Sequence, residues 1–134
     1  MSQENVALWL QRSIDAWSRG DREAWLSEVP PEWEMHTSGV FPGLKPVYRG
    51  LEGAVELWEA MRGPWERFAI AVERIETVGD KVLGLVTFRV QGRDGIETSR
   101  KWAYVVSSRD GIPTRTDNFQ AWNDALEAVG LRDG

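Results

Sequence analysis

The chain has 134 residues, 42% apolar and 28% charged, a profile of ordinary globular proteins that suffices for one real core, so a single domain spanning 1–134 is expected. Its 16 basic and 21 acidic residues leave a net charge of -5 without a Lys/Arg cluster, which argues against a nucleic-acid partner. The lack of cysteine excludes disulfides, thiolate metal sites and cysteine nucleophiles, and a lone histidine argues against a conventional zinc site.

From the amino terminus, Val6, Trp9, Leu10, Ile14 and Trp17 fall three or four apart and predict one buried helix face, opened by Ser2 as N-cap and closed by Gly20. Asp21 is placed to cap a second, shorter helix with Ala24, Trp25 and Leu26, which Pro30 and Pro31 terminate. Residues 33–37 read as a short strand, and the glycines and prolines from Ser38 to Gly50 read as a covering loop. Ala54, Val55, Leu57, Trp58 and Met61 form the stripe of a third helix that Gly63-Pro64 weakens.

The period then changes from that of helix to that of strand. Phe68, Ile70 and Val72 alternate, Gly79-Asp80 turns, and Val82 to Val90 is apolar on nearly both faces. Asp94-Gly95 precedes a strand from Ile96 to about Ser107, and Asp110-Gly111 marks the hairpin into a strand from Pro113 to Gln120. Trp122 to Val129 predicts a last short helix stopped by Gly130. Helices set ahead of four hairpinned strands specify an α+β domain, a curved antiparallel sheet wrapped around the N-terminal helices and enclosing a pocket. MSQENVALWLQRS has no basic start followed by an apolar stretch, and no run of 18 apolar residues occurs, so a soluble cytoplasmic protein without a membrane partner is expected.

The order αα-β-α-ββββ-α, with GDREAWLSEVPPEWEMHTSG, PVYRGLEGAVELWEAM, SSRDG and NDALEAVGL in sequence, resembles the SnoaL-like family of the nuclear transport factor 2-like superfamily. The resemblance spans nearly the whole chain and implies a cone-shaped, cystatin-like roll. That fold hosts isomerases, cyclases, epoxide hydrolases and non-enzymatic binders, so it implies no single activity. Against ketosteroid isomerase, the position of the carboxylate base falls at or beside His36, Ser13 takes the place of the donor tyrosine, and Ala103 that of the donor aspartate. Against limonene epoxide hydrolase, the charged positions fall at Val86, Phe88 and Asn118. The residues for either reaction are therefore incomplete.

With the family's register, alternation turns Thr114, Thr116, Asn118 and Gln120 into the cavity from the last strand, and Ser99, Lys101, Ala103 and Val105 from the strand before it. Gly84, Val86 and Phe88 then form apolar wall, Leu10, Ile14, Trp17, Trp58 and Met61 close the helical side, and Phe41 and Tyr48 cover it. His36 is the candidate base, with Asn118, Tyr48 or Thr116 as orienting donors and Glu34 on the same strand phase as a partner for its ring. Trp17, Trp58, Phe88, Lys101, Thr116 and Gln120 are the candidate substrate contacts, while Trp9, Trp25, Trp65 and Trp122 need only core packing. Arg115 and Asp117 share the outward face as an ion pair unless the register slips by one. No cofactor or metal is expected.

Three functions fit these residues: a proton-transfer enzyme on a hydrophobic oxygenated substrate, a non-catalytic module for a small hydrophobic molecule, and a structural dimerisation domain. An outer sheet face carrying Leu83, Leu85, Trp102 and Tyr104 points to a homodimer under each.

Overall fold

The computed structural model describes residues 2–37 and 43–130, so Phe41 lies outside the described residues. Helix α1 (Ser2–Arg19) ends at Gly20, whose φ of 74° costs a residue without a side chain little. Asp21 then caps α2 (Arg22–Leu26), its side chain accepting from the Ala24 amide at 3.1 Å. Strand β1 (Glu34–His36) leads to β2 (Val47–Arg49), inside the stretch expected to be loop throughout. Three residues behind a proline are too few to show a period, and β2 takes its identity from the pairs it makes with β1, Glu34 opposite Arg49 and His36 opposite Val47.

Gly50 (φ 62°) turns the chain from β2 directly into α3 (Gly50–Arg62) and donates its amide to the Trp33 carbonyl at 2.7 Å. Strands β3 (Arg67–Val78), β4 (Lys81–Gln91), β5 (Glu97–Arg109) and β6 (Ile112–Phe119) follow as consecutive hairpins, and α4 (Trp122–Ala128) closes the order. β3 carries a bulge between Val72 and Arg74, where one extra residue bends the strand.

The six strands form one curved, unclosed sheet in the order β2-β1-β6-β5-β4-β3. It is antiparallel except for β1 and β6, which run parallel with Met35 opposite Thr116 and His36 opposite Asp117. The expectation of a wholly antiparallel sheet is thus corrected at one pair, formed by strands far apart in the chain.

The inner face packs on α1, α2 and α3 around Trp33, Trp102, Val86 and Val106. A smaller cluster on the outer face joins Leu83, Ala103 and Val105 to Ala125 and Leu126 of α4. This reverses the expected phase of β5: Trp102 and Tyr104 face inward, and Ala103 and Val105 outward. Residues directly opposite in an antiparallel pair share a face, and Val86 stands opposite Trp102 while Gly84 stands opposite Tyr104. Residues 102–106 are all buried, so β5 itself carried no polar alternation to reveal its phase. The apolar patch expected on the outer face accordingly loses Trp102 and Tyr104 to the interior, and α4 packs over Leu83. Among the described residues no helix is long and apolar enough to cross a membrane.

Candidate functional site

A cavity of about 50 Å³ lies between the helices and the inner face of the sheet. On α1 the positions 9, 13 and 17 recur every four residues, which puts Trp9, Ser13 and Trp17 on one stripe facing it. From β1 and its flanks the two-residue period turns Trp33, Met35 and Thr37 inward. Tyr104, Thr116 and Asn118 form the sheet side, where Tyr104 and Asn118 stand directly opposite each other on neighbouring strands. Four of the eight tryptophans line the space, Trp9, Trp17, Trp25 and Trp33. They touch in a chain: Trp25 meets Trp33 at 6.1 Å and Trp17 at 4.8 Å between ring centres, both edge to face.

Most polar groups of the lining already have protein partners. Trp33 Nε1 donates to Thr116 Oγ1 at 3.0 Å, and Asn118 Nδ2 to the His36 carbonyl at 2.9 Å. Thr37 Oγ1 donates to the Lys45 carbonyl at 2.8 Å, and Trp9 Nε1 to that of Glu28 at 2.8 Å. Burial pushes the Tyr104 hydroxyl far above the usual tyrosine range, against a smaller lowering by its hydrogen bond with the Trp102 side chain, so it stays neutral. Ser13 differs from these: its Oγ is buried and has no hydrogen-bond partner among the described residues. Among the described residues no carboxylate, imidazole, amine or guanidinium lines the cavity.

Of the residues nominated from sequence, the structure brings Trp17, Thr116 and Asn118 to the cavity, with Leu10, Ile14 and Met61 closing its helical side as expected. Trp58 and Phe88 stand one layer back, Trp58 against Trp17 at 4.6 Å and Phe88 against Phe68 at 5.3 Å. Tyr48 is buried in the core, its hydroxyl accepting from the Lys45 amide at 3.0 Å rather than reaching the cavity. Gln120 lies exposed beyond the end of β6. Lys101 is exposed on the outer face and pairs with Glu73 at 3.0 Å, because the reversed phase of β5 carries it out.

His36 is likewise on the outer face. Its neighbours Met35 and Thr37 line the cavity, and alternation along β1 turns the ring the other way, where Nε2 meets Glu34 Oε1 at 2.8 Å. The partner expected for the ring is present, on the face opposite the cavity. Arg49 Nε reaches the second oxygen of Glu34 at 3.1 Å, and the His36 and Arg49 bonds together hold that carboxyl below the usual range. Arg115 grips Asp117 with both Nε and Nη2 on this same face, so the outward reading of that pair holds.

Trp33, Met35, Thr37, Leu44, Phe68 and Tyr104 are lining residues absent from the sequence nominations. The signal for the first three was there in WEMHT, whose odd positions are the apolar ones apart from Thr37. Tyr104 depended on the phase of a strand with no alternation. Among the described residues no cluster of His, Asp and Glu could hold a metal ion.

An α+β cone holding a small, uncharged, aromatic-walled cavity is the class of protein that this geometry defines. The chain belongs to the SnoaL-like domain family, whose model matches residues 10–116. No curated protein matches the sequence. Among solved structures it is similar to TerC co-crystallised with polyporic acid, with 20% identity over 93% of this chain and 97% of that one and a TM-score of 0.74. An NTF2-like protein of unknown function from Burkholderia pseudomallei K96243 superposes with a TM-score of 0.75 at 16% identity, covering 95% of this chain and 98% of its own. An LEH-like epoxide hydrolase of M. tuberculosis gives a TM-score of 0.68 at 16% identity over 94% of this chain and 90% of its own. At such identities the likeness is one of fold.

Proposed function

We propose that this protein binds a small, neutral, largely apolar molecule in the cavity and does no acid–base chemistry on it. The observation that carries this reading is the chemical make-up of the wall among the described residues: indoles, aliphatic groups, a neutral amide and hydroxyls, with no ionisable group other than a tyrosine held protonated. Proton transfer to or from a bound molecule needs a group that exchanges protons near neutral pH within hydrogen-bond reach of it. His36, the expected base, faces the other way, and among the described residues no other lining group continues the comparison with proton-transfer enzymes of this fold. TerC supports the binding half of the reading, since a relative of this fold takes up a small organic molecule.

A cavity of about 50 Å³ holds a few waters and falls short of the roughly 150 Å³ that accommodates a benzene ring, so binding must open it. The lining residues that are only half-buried are Met35, Leu44, Met61 and Phe68, and they form its rim. Methionine is unbranched and repacks at low cost, which makes this rim the part that yields.

Acetophenone in deuterium oxide separates binding from proton transfer. Calorimetry should show the ketone binding, while NMR should show its methyl protons exchanging no faster with the protein than with buffer. Protein-dependent exchange would establish a proton-transfer enzyme and overturn the reading.

A further inference from the structure

We infer that the Ser13 hydroxyl is a hydrogen-bonding anchor for the ligand, and that the molecule bound therefore carries an acceptor oxygen, as in a ketone, ester or ether, on a largely hydrocarbon body. The inference rests on the binding role proposed above and names the ligand class for that same cavity.

The argument is an inventory of the polar groups in the wall. The Trp9 and Trp33 indoles, the Thr37 hydroxyl and the Asn118 amide each donate to protein oxygens, and Thr116 accepts from Trp33. An indole can only donate, so the Trp102 side chain beside Tyr104 leaves the tyrosine's own hydroxyl hydrogen available. Ser13 is 5% exposed, sits between Trp9 and Trp17 on the inward stripe of α1, and has an Oγ that no described residue satisfies.

Serine inside a helix commonly returns its hydroxyl to a carbonyl one turn back, and Ser13 makes no such bond among the described residues. A buried hydroxyl left unpaired carries a desolvation cost, so its position is explained when whatever enters the cavity completes its bond. Water serves in the free protein, and the ligand's oxygen replaces it on binding.

Thr116 already accepts from the Trp33 indole, whereas Ser13 has neither its donor nor its acceptor role filled by a described residue, so the strongest demand for a ligand partner falls on Ser13. A hydroxyl can donate to a carbonyl oxygen without either group being charged, in keeping with a wall that, among the described residues, has no counter-ion for an anion or a cation. An acceptor oxygen on a hydrophobic body is the composition that completes the Ser13 bond.

The test uses acetophenone and ethylbenzene, close in size and differing by the oxygen, against the wild-type chain and Ser13→Ala, with affinities from calorimetry. The wild type should prefer the ketone, and the substitution should weaken ketone binding by about five- to tenfold, the worth of one neutral hydrogen bond. Ethylbenzene affinity should be unchanged or slightly improved, which also shows that the variant is folded. Equal effects on both probes, or none on the ketone, would overturn the anchor while leaving the binding role intact. Failure of the wild type to bind either probe would overturn the binding role and the anchor with it.

Discussion

The carboxylate of Glu34 lies between the His36 ring and the Arg49 guanidinium on the outer face, and both partners stabilise its ionised form. A carboxyl lowered in the folded state contributes stability that is present above its ordinary titration range and is lost as pH falls through the depressed folded value. Glu34→Gln should therefore unfold at a lower temperature than the wild type at neutral pH, and the gap should close on acidification. Melting curves for both proteins across about pH 3 to 7 check this, and a gap that stays constant with pH would show that the interaction is not ionic. The same strand shows what single residues disclose in sequence. In WEMHT, period-two alternation already sets Glu34 and His36 opposite Trp33 and Met35. The histidine drew a catalytic reading through the rarity of its type, whereas the phase of its neighbours determined where it points. Ser13 was legible in a similar way, as a hydroxyl within the stripe of Trp9, Leu10, Ile14 and Trp17, but its lack of a partner emerges only when the surrounding donors and acceptors are in place.

At the scale of elements, helices were easier to read than strand faces. The apolar stripes of α1 and α3, the Asp21 cap and the stop at Gly20 are local patterns, and the structure reproduces them. β2 was hidden because its order comes from β1, and the phase of β5 because both of its faces are covered, one by the main core and the other by α4. The parallel pairing of β1 with β6 joins segments separated by most of the chain, which no local period encodes. One contact between elements makes a direct test. α3 packs onto β2 at Gly53, where an added Cβ would come within 2.8 Å of the Tyr48 carbonyl carbon, a backbone atom that cannot rotate away. Gly53→Ala should therefore lose about 1–3 kcal/mol despite alanine's better helix propensity, the overpacking penalty outweighing it. Urea unfolding measures the loss, and a variant as stable as the wild type would mean that α3 sits further from β2 than described.

For the molecule as a whole, the curvature of the sheet and the three helices on its inner face create the enclosed space, and the residues lining it determine what it accepts. The α+β cone was legible because the order of elements survives wide variation in the residues that build it. The lining was legible only in part, since a one-residue change of phase exchanges Lys101 and Ala103 for Trp102 and Tyr104, and with them a charged wall for a neutral one. Charge is instead collected outside, in the Glu34–His36–Arg49 group, the Arg115–Asp117 pair and the Glu73–Lys101 pair. An interior with no counter-ion among the described residues takes up an ion only at the cost of stripping its hydration, on the order of several kcal/mol that this wall does not return. The most direct measurement is calorimetric titration at pH 7 with acetophenone and with benzoate, similar in size and shape and differing in charge. The neutral ketone should bind at least about a hundredfold more tightly than the anion; benzoate binding as well as the ketone would contradict a neutral pocket.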